Sequence, residues 1–173
     1  MKIDTYVRQP VEFRPYDPLF PRAAAALVEL VRSAAPELRV EHVGSTSIPG
    51  CAGKGVVDLA VLYPPGGLAR ARDVLDRLGC QRQTGPNAFP ESRPMRRCAL
   101  ELEGRSYRAH LHVLEAGGAE EMELLTFRDR LRADPALCRA YEAEKRAVLA
   151  RGITEGAAYA ECKTGFVRGV LGT

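Results

Sequence analysis

A single charged residue inside an apolar segment is the feature that most constrains how this chain can fold. Residues 56–62 read Val-Val-Asp-Leu-Ala-Val-Leu, so Asp58 is the one charge among apolar neighbours. Such a run is typical of a strand that is buried on both faces. A carboxylate in that environment costs several kcal/mol unless another group pairs with it. We therefore expect Asp58 to have partners elsewhere in the chain and to belong to a site that carries chemistry.

The pattern of apolar and punctuating residues predicts the order of strands and helices. Strands are expected over residues 39–43, 56–62, 96–103 and 106–114, the last two joined as a hairpin. Helices are expected over residues 19–35, 68–78, 119–133 and 135–150, and in a further segment that Thr154 caps. An extended lead-in is expected over residues 1–18 and an irregular loop over 81–91. The prediction is one α+β domain over 1–173, with a mixed β-sheet core at about 37–116 and a helical C-terminal half at about 119–172.

Composition argues against several classes of protein. Apolar residues make up 46% of the 173 residues and charged residues 27%, which is ordinary for a globular domain. No apolar run reaches the roughly 18 residues of a membrane span, and the first residues lack the apolar core of a signal peptide, so we expect a cytoplasmic protein without a membrane partner. The net charge of +3 and the aromatic fraction of 6% argue against nucleic acid as a partner. Five cysteines without a Cys-x-x-Cys spacing predict reduced, mostly structural thiols.

The turn that precedes the Asp58 strand offers groups that could bind phosphate. Gly44, Ser45 and Thr46 follow the first predicted strand, and their backbone N–H groups and hydroxyls could face an anion. Lys54, four residues before Asp58, could neutralise a phosphate or pair with a carboxylate. The segment is not a Walker-type loop, because Ile48 and the residue after Lys54 break that pattern. A tight turn without a ligand and a solvated lysine are the alternatives.

Two histidines alternate with apolar residues in the last predicted strand. His110 and His112 are two residues apart, so both side chains point to one face of the sheet. Beside Asp58 they could bind a divalent metal or act as general acid and base. Two half-exposed histidines on a solvated face are the alternative. His42, two residues before Gly44, is a weaker candidate for the same cleft, and a core histidine bonded to the backbone is its alternative.

Basic residues also recur at helical spacing in the C-terminal half. Arg128 and Arg132 are four residues apart and could hold the phosphates of an anionic ligand, or they could belong to a solvated, ion-paired face. A Tyr-x-x-x-Lys spacing occurs twice, ending at Lys145 and at Lys163. These lysines could form a basic rim to a cleft. The alternative is that the tyrosines pack between helices while the lysines are solvated.

Taken together and in this order, the motifs resemble those of the GrpB family (UPF0157). The resemblance extends over nearly the whole chain and rests on Tyr16-Asp17-Pro18, the segment Glu41 to Gly50, Lys54 to Asp58, His110-Leu111-His112-Val113, Phe127 to Arg132, Pro135, and the two Tyr-x-x-x-Lys pairs. Two positions depart from the family pattern. Phe20 stands where the family usually has tryptophan, and Gly55 stands where it has proline.

The resemblance implies a fold similar to the polymerase-beta-type nucleotidyltransferases. In that superfamily a Gly-Ser pair grips nucleotide phosphates, and acidic residues on adjacent strands hold Mg²⁺. Gly44-Ser45 and Asp58 fall where this pattern expects them, but Ala60 occupies the position of the usual second carboxylate. The implied cofactor is a divalent metal (Mg, Mn or Zn) at Asp58, His110 and His112, with His42 as a further candidate. Fusions of GrpB-like domains to dephospho-CoA kinase imply nucleotide or CoA-type ligands.

Three functions therefore compete. The first is an enzyme that transfers a nucleotidyl or related phosphate-bearing group, with Ser45 and Lys54 on the phosphate and with Asp58, His110 or His112 on a metal or the acceptor. The second is a binding module for a nucleotide or CoA-type ligand that retains the fold without catalysis, which the missing acid at Ala60 favours. The third is metal-dependent hydrolysis of a phosphate ester by the same residues.

Overall fold

The computed structural model describes residues 3–172, and a single mixed β-sheet lies at its centre. Its strands are β1 (Ile3–Asp4), β2 (Arg39–Val43), β3 (Val57–Tyr63), β4 (Gln81–Arg82), β5 (Met95–Leu102) and β6 (Arg105–Glu115). The order across the sheet is β1-β5-β6-β3-β2, and β4 also pairs with β5. Strands β3 and β6 are parallel, whereas the other pairings are antiparallel.

The helices occur along the chain in the order that the sequence predicts. They are α1 (Phe20–Ala34), α2 (Leu68–Arg77), α3 (Ala119–Ala133), α4 (Pro135–Ala150), α5 (Gly156–Cys162) and α6 (Thr164–Leu171). Helix α4 begins as expected, because the Asp134 side chain accepts hydrogen bonds from the backbone N–H groups of Ala136 and Leu137. The prediction of an α+β fold with a mixed sheet and a helical C-terminal half is confirmed.

The two faces of the sheet have different roles. Leu59 and Leu111 point to one face, where they join the main apolar core together with residues of α1 and α2. Asp58 and His110 lie directly opposite each other in the β3–β6 register, and their side chains point to the other face. The alternation of side chains along β3 and β6 thus buries one face under helices and leaves the other for a polar site.

The structure differs from the sequence prediction at three places. Residues 81 and 82 form the short strand β4 instead of belonging to a loop, and residues 3 and 4 of the extended lead-in pair with β5. The last predicted helix is divided into α5 and α6 at Lys163. Glu155, not Thr154, caps α5, because its carboxylate accepts hydrogen bonds from two backbone N–H groups of the first turn.

None of the helices within residues 3–172 is both long enough and apolar enough to cross a membrane.

Replacing Leu111 with alanine should destabilise the fold, because Leu111 is fully buried between the sheet and the covering helices. We expect the free energy of unfolding to fall by about 2–5 kcal/mol, the usual cost of a large-to-small change in a core. Met122 is 60% exposed, so Met122→Ala is the matched control and should change stability by less than about 0.5 kcal/mol. Denaturant unfolding measures both values. Equal losses in the two variants would contradict the placement of Leu111 in the core.

Candidate functional site

Asp58 lies at the centre of the polar face and is surrounded by groups that stabilise its charge. Its Oδ1 atom is 3.5 Å from Nζ of Lys54, 3.4 Å from Nδ1 of His110 and 3.7 Å from Nε2 of His112. Burial alone would raise the pKa of this carboxyl. Lys54 and the two histidines outweigh that effect and hold the pKa of Asp58 well below its usual value. Asp58 is therefore a buried carboxylate with the partners that its position in the sequence requires.

His110 connects Asp58 to a residue of the N-terminal segment. The hydroxyl of Tyr6 lies 3.1 Å from Nε2 of His110. Because the ionised Asp58 can only accept, Nδ1–H of His110 donates to it and Nε2 accepts from Tyr6. Burial, assisted by Lys54, lowers the pKa of His110 to about 4 although Asp58 opposes this shift. The imidazole is consequently neutral at neutral pH, and its two hydrogen bonds connect the Tyr6 hydroxyl to the Asp58 carboxylate.

His112 also lies beside Asp58, on the neighbouring strand β6. It lies directly opposite Ala60 in the β3–β6 register, and Ala60 is fully buried. While Nε2 of His112 faces Asp58, its Nδ1 atom is buried and has no hydrogen-bond partner within residues 3–172. The ring of Phe89 meets the His112 ring edge to face, with centroids 6.3 Å apart. The site therefore contains one carboxylate and two imidazoles.

The turn after β2 approaches Asp58 more closely than any residue with a side chain could. Gly44 has a φ of 68°, and a Cβ atom placed on it would lie 2.7 Å from Oδ2 of Asp58. Both the left-handed backbone and the close approach therefore require glycine. The chain then makes a 3₁₀ turn over Ser45–Ser47, in which Ser47 Oγ donates to the Gly44 carbonyl. The 3₁₀ turn therefore begins directly after the residue that touches the carboxylate.

The side chain of Lys145, from α4, extends to the loop that faces the same turn. A Cβ atom on Gly53 would lie 2.8 Å from Ser45 Oγ and 3.3 Å from Lys145 Nζ, so these two groups approach the same point of the loop. Lys145 is only 1% exposed, and its Nζ donates to the Ala52 carbonyl. Burial lowers the pKa of Lys145 below its usual value. The lysine is thus a buried cation beneath the phosphate-type turn and not part of an exposed rim.

Lys163, at the junction of α5 and α6, adds a second cation to this cluster. Its Nζ lies 4.3 Å from the ring centroid of Tyr159 and 5.8 Å from that of Tyr141, while Lys145 Nζ lies 4.3 Å from Tyr141. Burial, and then the charge of Lys54, lower the pKa of Lys163 to about 7 although Asp58 opposes them. The two tyrosines of the Tyr-x-x-x-Lys pairs thus face the ammonium groups, which explains why that spacing occurs twice.

Lysine is rare in this chain, so the presence of three lysines in one cluster is informative. Of the 25 basic residues, 4 are lysine, and three of them are Lys54, Lys145 and Lys163. An arginine has a much higher pKa and a larger, planar head group, so it does not replace a buried lysine conservatively. The count was available from the sequence and is the signal that most directly marks these three residues as a set.

Two predicted residues lie away from Asp58. Register pairs Val43 with Asp58 and His42 with Leu59, so His42 points to the opposite face of the sheet. There its Nε2 atom is 3.0 Å from Oγ1 of Thr46, and burial lowers its pKa to about 4. His42 thus contacts a side-chain hydroxyl, and neither the Asp58 cleft nor the backbone bond that was the alternative accounts for it.

Arg128 is engaged by protein groups instead of facing the cleft. Its guanidinium donates to the carboxylates of Glu41 and Asp129 and to the carbonyl oxygen of His42. These contacts attach α3 to β2 across 86 residues of sequence. The structure therefore uses Arg128 to hold the helix against the strand that leads into the Gly44 turn.

The residues around Asp58 do not form a complete metal site as they stand. Within residues 3–172, only Cys51, Cys138 and Glu142 form a group of three metal-capable side chains whose ligand atoms lie within 4.8 Å of one another. Ligands of one ion, each at about 2.1 Å from it, can be no more than about 4.2 Å apart. Asp58, His110 and His112 are not such a group, so a shift of one histidine would be needed before both could bind the same ion.

A cavity of about 500 Å³ opens beside the histidines. We call it the arginine cavity, and its walls come from five parts of the chain: residues 6–11, the loop residues Lys54 and Val56, residues 83–89, the sheet, and α5 with its cap. Tyr6, Arg97 and Arg108 line it together with His110 and His112. The sequence offered no local pattern for the first three, since they lie in an extended lead-in and among many other arginines.

Comparison with known proteins agrees with this architecture. A family model described as GrpB protein matches residues 10–172. A UPF0157 protein of Pseudomonas aeruginosa is 35% identical over 170 residues, which cover 94% of this chain and 66% of that protein. A UPF0157 protein of Streptomyces coelicolor is 34% identical over 131 residues, which cover 76% of this chain and 66% of that protein. The chain thus spans about two thirds of the length of these relatives.

Solved structures show the same fold. The crystal structure of the conserved protein GrpB from Enterococcus faecalis aligns with a TM-score of 0.71 at 20% identity, over 92% of this chain and 94% of that one. A structure of Cid1, described with its RNA terminal uridylyl transferase activity, aligns with a TM-score of 0.50 at 15% identity, over 79% of this chain and 45% of that one. The fold is therefore nucleotidyltransferase-like. Within that class, the chain belongs to the GrpB family.

Replacing Gly44 with alanine should cost more stability than the same change at a comparable glycine. Gly50 also has a positive φ, of 79°, but a Cβ atom there would meet nothing within 4 Å. Gly50→Ala should therefore cost only the backbone strain, about 1 kcal/mol. Gly44→Ala should cost about 1–3 kcal/mol more, because the new methyl group collides with Asp58. Denaturant unfolding of both variants checks this, and equal costs would show that Gly44 does not press on the carboxylate.

Acid should destabilise the protein through His42. Its pKa is about 4 in the folded chain, below the ordinary value of 6.5, so the unfolded chain binds more protons between these values. This contribution to stability is present above about pH 6.5 and is lost as the pH falls toward 4, with a total of about 3 kcal/mol. His42→Gln should reduce the decline in unfolding free energy over that window. An unchanged decline in the variant would contradict the burial of a neutral His42.

Proposed function

We propose that this protein binds a nucleotide or another phosphate-bearing small molecule at the Asp58 face and transfers a nucleotidyl or related group to a small acceptor. The phosphates would lie between the Gly44-Ser45 turn and the lysines at 54, 145 and 163, whereas the buried Thr46 hydroxyl contacts His42 instead. The observation that carries the proposal is the convergence of these lysines on one turn and one carboxylate. This convergence is supported by the 3.5 Å contact of Lys54 with Asp58 and by the approach of Lys145 to the Ser45 turn.

The cluster has more positive charge than the surrounding residues neutralise. Neither Lys145 nor Lys163 makes an ion pair with a carboxylate in the described part of the chain. Asp58 is shared among Lys54 and two histidines, and burial lowers the pKa values of both helix lysines. Ammonium groups that are withdrawn from water without a carboxylate partner cost free energy, and a ligand phosphate would recover part of that cost through charge-assisted hydrogen bonds. An anionic ligand is therefore the partner that this arrangement favours.

A divalent metal is part of the proposal through Asp58. Mg²⁺ is commonly held by one or two carboxylates together with substrate phosphates, so Asp58 can serve as the protein ligand of an ion that accompanies the nucleotide. Such an ion would neutralise phosphate charge and help align the reacting groups. Mn²⁺ or Zn²⁺ would also accept His110 or His112, although not both in their present positions. The strongly lowered pKa of Asp58 keeps it ionised for this role.

A specific observation also favours a second candidate, a binding module without catalysis. Ala60 follows Asp58 on the same face and is fully buried, and the residue opposite it is His112. No carboxylate thus occupies the position that nucleotidyl transfer ordinarily uses for a second ligand. On this reading a nucleotide or CoA-type ligand binds through the lysines and Ser45 without turnover and without a need for metal.

The first test is ligand binding to a matched set of variants. ATP, UTP and CoA, each with and without MgCl₂ or MnCl₂, are titrated by calorimetry into wild type, Lys163→Gln and Arg70→Gln. Arg70 is an exposed residue that pairs with Glu37 away from the site, so it controls for the loss of one positive charge. We expect Lys163→Gln to weaken binding by about tenfold or more, the effect of losing one charged hydrogen bond. Equal affinities for wild type and Lys163→Gln would contradict the phosphate site.

Asp58→Asn separates the two candidates. If the protein is a metal-assisted transferase, this variant should lose the metal dependence of nucleotide binding and the release of pyrophosphate in the presence of acceptors. If it is a binding module, nucleotide affinity should be independent of metal in wild type and no pyrophosphate should appear. Metal-dependent binding that Asp58→Asn leaves intact would remove Asp58 from the proposed site.

A further inference from the structure

The arginine cavity adjoins the site described above, because Lys54, His110 and His112 line it, but its arginines have no role in that site. With about 500 Å³, it has the size of a site for a small organic molecule. It is bounded on several sides, by the N-terminal segment, by residues 83–89, by the sheet and by the start of α5, which suits an enclosed small ligand better than a polymer. The residues that line the cavity determine which small molecule it can bind.

Two of these groups are arginines that form no ion pair with a described carboxylate. Arg97 of β5 lies opposite His110 in the register, and Arg108 precedes His110 by two residues in β6, so both point to the Asp58 face. Neither makes an ion pair or a side-chain hydrogen bond within residues 3–172. The Nε atom of Arg97 is buried and has no partner there. An anion in the cavity would satisfy it.

Other arginines nearby do form ion pairs, so the lack of one is not common to all arginines in this region. Arg8, also on the cavity wall, pairs with Glu155, the one acidic residue among the lining residues. Arg96, the neighbour of Arg97 in β5, points to the opposite face and is fully buried between the carboxylates of Asp76 and Glu91. Arg8 and Arg96 thus form direct ion pairs with carboxylates, whereas Arg97 forms none within residues 3–172.

The remaining walls indicate what the rest of the ligand is like. Tyr6 lies near both guanidinium groups, with its ring centroid 5.3 Å from Cζ of Arg97 and 6.0 Å from Cζ of Arg108. Phe89 and Met95 contribute apolar surface. The Tyr6 hydroxyl contacts His110, which contacts Asp58. A molecule held by the arginines would therefore lie within reach of the chain of hydrogen bonds that leads to the proposed reaction centre.

We propose that the arginine cavity binds the acceptor of the transfer, and that this acceptor is a small molecule with a carboxylate or phosphate group and an apolar or aromatic body. Arg97 and Arg108 hold the anionic group, while Tyr6, Phe89 and Met95 contact the body. The role as acceptor rests on the function proposed above, whereas the binding of such an anion does not.

The test uses simple aromatic probes on the intact chain. Benzoate and phenyl phosphate represent the two sources of negative charge, and benzamide is the neutral counterpart of benzoate. Each is titrated by calorimetry into wild type, Arg97→Gln, Arg108→Gln, Arg108→Lys and the control Arg70→Gln, with and without saturating ATP and MgCl₂. Saturating nucleotide occupies the lysine cluster, so the remaining anion binding reports on the cavity. Where Arg97→Gln does not fold, Arg108→Gln carries the comparison.

We expect at least one of the two anions to bind about tenfold or more tightly than benzamide, and the stronger of them identifies the class of acceptor. Either glutamine variant should weaken that binding by about tenfold, Arg108→Lys should retain part of it, and nucleotide affinity should be unchanged. Equal binding of benzamide, indifference to both arginines, or displacement of the probes by ATP would overturn the assignment.

The outcomes separate this inference from the proposed function. Nucleotide binding that depends on Lys163, together with anion binding that ignores the arginines, would overturn the acceptor site and leave the proposed function standing. Arginine-dependent anion binding without any nucleotide binding would overturn the proposed function and, with it, the role of the anion as acceptor. The absence of both would overturn both.

Discussion

The interaction on which the rest of this structure depends is the pairing of a buried carboxylate with one lysine and two histidines. Asp58 lies in the buried interior strand β3, where an unpaired charge would cost several kcal/mol. Its partners come from the preceding loop and from the neighbouring parallel strand, so the charge is stabilised only when β3 and β6 are in register. The turn at Gly44 also depends on Asp58, because only glycine can lie so close to Oδ2 of that carboxylate. The register of the sheet therefore assembles the site, and the charge of Asp58 in turn favours that register.

The alternation of residues in strands made part of this site predictable. The two-residue spacing of His110 and His112 placed both imidazoles on one face, and both do lie near Asp58. The helical spacing of the Tyr-x-x-x-Lys pairs also identified Lys145 and Lys163 as a set. Spacing could not show that Lys145 is buried and Lys163 partly buried, because burial depends on how α4 and α5 pack on the loop after β2.

Register and long-range contacts account for what the sequence could not show. His42 was expected to share the cleft, but pairing between β2 and β3 aligns Val43 with Asp58, and a shift of one residue turns a side chain to the other face. Arg128 finds its partners 86 and 87 residues away, at His42 and Glu41. Tyr6 reaches His110 across 104 residues, because β1 pairs with β5 and directs the N-terminal segment over the sheet. No local pattern contains such information.

We propose that Asp58 and the lysine cluster form one ligand site, and a crystal structure with a non-hydrolysable nucleotide and MnCl₂ tests that claim most directly. The predicted result is a chain of phosphates within hydrogen-bond distance of Ser45, Lys145 and Lys163, with an anomalous manganese signal at the Asp58 carboxylate. Phosphates bound elsewhere on the protein, with the lysine cluster and Asp58 unchanged, would contradict the account.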